Sequence, residues 1–92
     1  MSFEWDEGKS RKNREKHGIG FEQVEKLWLS DLTQLGPKCV DIGNGQNEDR
    51  YLVIGTIEDM HWTAVITYRD DRVRIISCRR SRKDEVMLYD KY

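Results

Sequence analysis

Three runs of strand-forming residues, Arg50–Ile57, His61–Tyr68 and Arg72–Cys78, follow one another with only Glu58-Asp59-Met60 and Arg69-Asp70-Asp71 between them. Connections this short cannot carry a crossover, so consecutive runs must return antiparallel as a meander. The last run alternates, with Val73, Ile75 and Ser77 on one face and Arg72, Arg74 and Ile76 on the other, as the two-residue period of a strand requires. Cys39 to Ile42 can add an edge strand, after a turn at Gly36-Pro37 and before a flexible loop holding Gly43, Asn44, Gly45 and Asn47.

Helical patterns bracket the meander. Phe3 and Trp5 alternate with Glu4, so Ser2 to Trp5 can start a short strand. Asp6 is a good N-cap for a polar helix that runs to His17 and ends at Gly18. This helix has no apolar stripe; Lys9, Asn13, Lys16 and His17 share one face instead. A second helix, Phe21 to Leu29, carries Phe21, Val24, Leu27 and Trp28 on a core face, behind the weak cap Gly20. Ser81 caps a final helix with Asp84 in the third position, and Val86, Tyr89 and Met87 would dock it. The expected fold class is α+β: two helices, an antiparallel meander of three to four strands, then a helix.

A chain of 92 residues suits one domain, residues 1–92. Charged residues reach 36%, but nine aromatic residues are too many for a disordered chain. No apolar run approaches a membrane span, and the polar stretch from Met1 to Lys12 is unlike a signal peptide, so the expected location is cytoplasmic. Cys39 and Cys78 lack metal-type spacing and read as free thiols. Two distant histidines and scattered carboxylates make no zinc site, and there is no P-loop, glycine fingerprint or HExxH; no metal or cofactor is expected.

The net charge of −1 conceals two basic stretches. From Lys9 to His17, five basic residues against Glu15 leave +4; from Arg69 to Lys83, seven against Asp70 and Asp71 leave +5; the remaining residues sum to −10. Folded together, the two stretches make one patch for a polyanion; folded apart, they are two solvated faces. Charge alone leaves both open. Cutting RNA without a metal needs a base for the 2′-hydroxyl, an acid for the leaving oxygen and cations for the phosphate. His17 and Lys16 are candidates for proton transfer, and the arginines for phosphate. Each has a plainer explanation. His17 ends a helix, where the dipole favours an imidazolium. Arg50 and Arg74 can be solubilising strand charges. His61 opens a strand and reads as structural or exposed, and Tyr51, Trp62 and Tyr68 either stack on bases or pack.

Three motifs sharpen this. Phe3-Glu4-Trp5-Asp6 is followed by Lys9, Asn13, Lys16-His17-Gly18 and Phe21; Glu48-Asp49-Arg50 leads to Ile54-Gly55; and Val73 to Arg79 precedes Glu85 and Tyr89. In this order the sequence resembles the BrnT toxin family, with Cys78, Gly20 and Ser81 as small departures and Leu35–Gln46 unmatched. The resemblance implies a RelE-like fold, with helices on a curved antiparallel sheet. It implies a metal-independent endoribonuclease that inhibits translation. It also implies a BrnA-like antitoxin with a ribbon-helix-helix domain, which alone brings the pair to operator DNA. By position it implies Lys16, His17, Arg50, Arg69 and Arg79 as catalytic residues. Beside them, Lys9, Asn13, Arg74 and Arg80 are expected to bind RNA. It favours one merged basic patch, with the helix stripe facing the sheet. The alternatives are a non-catalytic binding toxin, such as a gyrase poison, and an inactive homologue that acts only in operon repression.

Overall fold

The computed structural model describes residues 2–91. The elements are β1 (Ser2–Glu4), α1 (Glu7–His17), α2 (Phe21–Val24) continued by a 3₁₀ segment (Glu25–Leu29), β2 (Thr33–Gly43), β3 (Gln46–Ile57), β4 (Met60–Arg69), β5 (Arg72–Arg80) and α3 (Lys83–Lys91). The strands form one five-stranded sheet in the order β1-β5-β4-β3-β2. β2 to β5 make the antiparallel meander. β1 pairs parallel with β5, Phe3 opposite Val73. The sheet is therefore mixed and larger than three to four antiparallel strands, because the short opening strand closes on the last one.

The turns are tighter than the sequence suggested. Gly43 faces Gln46 and Ile57 faces Met60, leaving Asn44-Gly45 and Glu58-Asp59 as two-residue turns. All four residues have positive φ, the geometry whose twist matches paired strands. The flexible loop expected around Gly43 to Asn47 is thus a hairpin, and Met60 belongs to a strand. Gly36-Pro37 is not a turn either. It sits inside β2 at a register shift between Leu35 and Lys38, on an edge strand where proline costs no ladder hydrogen bond.

A bulge decides which way β5 points its arginines. Ile66 faces Ile75, but Val65 faces Ser77, so Ile76 is an extra residue. Side-chain parity shifts there. Val73, Ile75 and Cys78 all turn into the core, while Arg74, Ser77 and Arg79 share the opposite face. The simple alternation read for this strand, with Ser77 beside Val73 and Ile75, holds only up to Ile75.

One face of the sheet carries α1, α2 and the 3₁₀ segment. Ile19, Phe21, Val24 and Leu27 pack against Val53, Trp62, Ala64, Ile66, Val73 and Ile75. Phe21, Val24 and Leu27 recur every third residue, which suits a 3₁₀ continuation better than the single α-helix expected over Phe21–Leu29. Trp28 instead meets Phe3 edge-on at 4.9 Å. A side chain on Gly55 would lie 2.9 Å from Ser30 Oγ and 3.2 Å from Leu27 Cδ2, so its absence lets this segment settle on β3.

Helix α1 has no apolar face to bury, and polar groups anchor it. Its ends are capped by the Asp6 carboxylate, which accepts from Lys9 N at 3.0 Å, and by left-handed Gly18. Ser10 Oγ accepts from Phe21 N at 2.8 Å. Asn13 Nδ2 donates to Ile19 O at 2.8 Å, and Asn13 Oδ1 accepts from Cys78 N at 3.1 Å. Both side chains are buried. α1 therefore flanks β5 where β1 no longer pairs with it.

Helix α3 covers part of the opposite face. Lys83 is its first residue, so Glu85 rather than Asp84 is third, and its carboxylate accepts from Arg82 N at 2.7 Å. Ser81, expected as the cap, instead bonds Thr63 at 2.8 Å. Met87 is 67% exposed and does not dock. His61 stacks edge-on against Tyr89 at 5.2 Å and packs on this helix. No helix among the described residues is long and apolar enough to cross a membrane.

Asn13→Ala strips partners from a buried carbonyl and a buried strand N–H. Urea denaturation should show a loss of about 2–3 kcal/mol at unchanged m-value; a loss below about 0.5 kcal/mol, the level of an ordinary surface change, would mean α1 is held otherwise.

Candidate functional site

α3 leaves the far end of its sheet face open. There Lys9, Arg50, Arg69, Arg74 and Glu48 line a cavity of about 280 Å³, with Ile42 and Ile76 completing the wall. Three different strands supply the arginines. Arg74 faces Thr67 across β4–β5, and Arg50 precedes Tyr51, which faces Ile66, so Arg50 and Arg74 flank Thr67 on one face. Arg69 comes from the end of β4, and Lys9 from the first turn of α1. The structure thus merges the two basic stretches at this point.

Carboxylates hold the arginines in place. Glu48 is 13% exposed; its Oε2 accepts from Arg50 Nε at 3.0 Å, and Arg69 Nη2 lies 3.7 Å from its Oε1. Behind them, Glu4 Oε2 accepts from Arg74 Nη1 at 2.9 Å, and Arg72 Nε lies 3.3 Å from Glu4 Oε1 without the alignment of a hydrogen bond. The cavity lining therefore carries four cations against one carboxylate. Including Glu4, two positive charges remain unmatched, which favours an anion.

A second hollow of about 490 Å³ shares Ile42, Glu48 and Arg69 with the first. Tyr51 and Tyr68 are among its lining residues, but their rings, an edge-to-face pair 5.1 Å apart, project to the helix face of the sheet, because Tyr51 faces Ile66 and Tyr68 faces Val73 in the ladder. Tyr68 is 39% exposed and donates its hydroxyl to Gln34 Oε1 at 2.6 Å. The cationic hollow matches the phosphate of a nucleotide.

The other expected site residues lie elsewhere. Asn13 is buried with both ends of its amide engaged, so it anchors α1 and has no group free for RNA. His17 is half-buried and Lys16 exposed at the far end of α1, about 12 Å of helical rise beyond Lys9. The helix stripe therefore does not face the cavity as a unit; only Lys9 does. Arg80 faces Trp62 across the ladder, with its guanidinium 5.6 Å from the indole. That places it on the face opposite Arg74. Trp62 itself is core.

Arg79 shares the face of Arg74 but is already occupied. Its guanidinium donates to both Glu85 oxygens, at 2.6 and 2.7 Å. The Arg79 hydrogen bond, helped by Arg82 N and Thr63, holds the Glu85 carboxyl at about 2, below the usual carboxylate range. The same bond raises the Arg79 pKa. Cys78 is buried and its thiol is pushed up to about 12, while Cys39 is exposed; both are free. Among the described residues, no group of three or more His, Cys, Asp or Glu is placed to hold a metal ion.

Glu48 is the residue that reading for cations passed over. Its two-residue spacing from Arg50 already puts both on one strand face.

A family model described as the ribonuclease toxin BrnT of type II toxin-antitoxin systems matches residues 5–85. The chain belongs to the BrnT family. Comparison with curated proteins returned no match. Every charged residue that lines the BrnT cavity falls inside the matched segment, and so does Glu85. Membership carries two consequences: a ribonuclease toxin activity, and an antitoxin partner. A basic cavity accords with the first.

Glu85 makes this BrnT chain acid-sensitive in a defined window. Its folded pKa of about 2 lies below its ordinary value of 4.5, so its stabilisation is complete above the ordinary value and is lost as pH falls toward the folded one. Glu85→Gln should lower stability at pH 7, by about 2 kcal/mol. The gap to the native protein should narrow as pH falls below about 4.5 and close near pH 2 in thermal melts. A gap that stays constant with pH would contradict the ion pair.

Proposed function

We propose that this chain is a metal-independent endoribonuclease that halts translation by cutting RNA. One backbone phosphate enters the cavity between Lys9, Arg50, Arg69 and Arg74. The observation that carries this reading is the convergence of four cations from three strands and a helix on one cavity that holds a single carboxylate. RNA supplies its own nucleophile, the 2′-hydroxyl, so the protein needs only to orient the linkage, move protons and stabilise the pentacoordinate phosphorane. Arginine forks suit two phosphate oxygens and keep their charge through the reaction. Ion pairs to Glu48 and Glu4 fix those forks beforehand, which lowers the reorganisation the reaction would otherwise need.

The partner is a BrnA-like antitoxin with a ribbon-helix-helix domain, through which the complex reaches operator DNA. Family membership supports an antitoxin in general terms; its type is our proposal. The cytoplasm is where such a toxin meets both RNA and antitoxin.

The test is RNA incubated with purified protein in EDTA. The wild type should cut. Arg50→Ala and Arg69→Ala should each cut about 100-fold more slowly, as expected when a donor to a developing charge is lost. His17→Ala, remote from the cavity, should stay within about tenfold, below the range for a lost proton-transfer group. Unimpaired arginine variants together with an inactive His17→Ala would move the site to the end of α1.

A further inference from the structure

We propose that Glu48 is the catalytic base of this enzyme, taking the proton from the 2′-hydroxyl of the bound nucleotide. The inference rests on the endoribonuclease reading above and adds the residue that starts the reaction.

Position is the first argument. Glu48 lines both hollows, the cationic one and its neighbour. In a nucleotide, the 2′-hydroxyl lies between the base and the 3′-phosphate. With the phosphate among the cations and the nucleotide running on into the second hollow, that hydroxyl falls at the wall the two hollows share. Glu48, Arg69 and Ile42 are common to both. Of these three, only the carboxylate can accept a proton.

Elimination gives the second argument. Lys9, Arg50, Arg69 and Arg74 are cations, and Ile42 and Ile76 are apolar. His17 stands about 12 Å of helical rise from Lys9. Glu4 is committed to Arg74 and Arg72 behind the cavity. Glu85 is tied up by Arg79, Thr63 and Arg82 N. Glu48 keeps a free edge: Arg50 takes one oxygen at 3.0 Å, and Arg69 stays 3.7 Å from the other, beyond hydrogen-bond range.

The step balances as follows. A Glu48 oxygen takes the 2′-hydroxyl proton, and the 2′-oxygen forms its bond to phosphorus. The bond from phosphorus to the 5′-oxygen breaks, and that oxygen takes a proton from the Lys9 ammonium. Lys9 is the cavity's one cation able to release a proton, since arginine holds its own. The products are a 2′,3′-cyclic phosphate and a 5′-hydroxyl, and water returns Glu48 and Lys9 to their starting states.

The experiment compares wild type, Glu48→Gln and Glu48→Asp, each checked for folding by circular dichroism. Single-turnover cleavage is measured on an oligonucleotide with one ribonucleotide in a DNA strand. Affinity is measured on the all-deoxy strand, which cannot be cut. Glu48→Gln should cut at least about 100-fold more slowly, the scale of a lost general base. It should bind the deoxy strand as tightly as wild type or more tightly, because a negative charge leaves a phosphate site. Glu48→Asp should recover part of the rate. Cleavage by Glu48→Gln within a few-fold of wild type overturns the assignment. So does a loss of affinity that matches the loss of rate, which would make Glu48 only an organiser of Arg50 and Arg69. A wild type that binds RNA without cutting it sinks the nuclease reading itself, and this role with it.

Discussion

The carboxamide of Asn13 is the contact on which the arrangement depends. One end closes the loop after α1 through Ile19 O, and the other satisfies Cys78 N on the outer edge of β5. A helix with no apolar stripe has no hydrophobic reason to sit at a sheet edge. Buried hydrogen bonds at Ser10 and Asn13 take that part, and leaving such groups unpaired would cost more than making them gains. Because α1 is pinned there, its first turn reaches around the edge and delivers Lys9 to the face that carries Arg50, Arg69 and Arg74.

The second device is the bulge at Ile76. Without it, strict alternation would carry Arg79 to the core side along with Val73 and Ile75. With it, Arg74 and Arg79 share a face, and two carboxylates divide their work. Glu4 steadies Arg74 at the cavity. Glu85 accepts from both Nη groups of Arg79, and the pair docks α3. The same residue type on the same face thus lines a cationic cavity at one end and packs a helix at the other. What differs is whether a carboxylate saturates the fork.

Much of this was legible in the sequence. The meander follows from three strand runs with short breaks, and the cap residues Asp6 and Gly18 mark α1 correctly. The Asn44-Gly45 pair was a hairpin signal that its polar neighbours disguised as a loop. The 3₁₀ continuation after Val24 also had a trace, in the three-residue recurrence of Phe21, Val24 and Leu27. Other features had none. A bulge depends on cross-strand register, which no local pattern reports. The stripe of Lys9, Asn13, Lys16 and His17 looked uniform because side-chain chemistry, not burial, was visible; the fold buries Asn13 and separates Lys9 from His17. Arg79 resembled the other arginines until Glu85 was seen folded back onto it. The place of Glu48 had no local trace, because its carboxylate stands out only once three strands and α1 gather the cations around it.

The central claim is that an RNA phosphate sits among the cavity cations. NMR observation of arginine Nε–Hε groups during titration with a non-cleavable deoxy oligonucleotide addresses it directly. The account predicts shifts at Arg50, Arg69 and Arg74, with Arg80 and Arg82 unmoved. Shifts confined to Arg80, Arg82 or Arg11, with the cavity arginines silent, would contradict it.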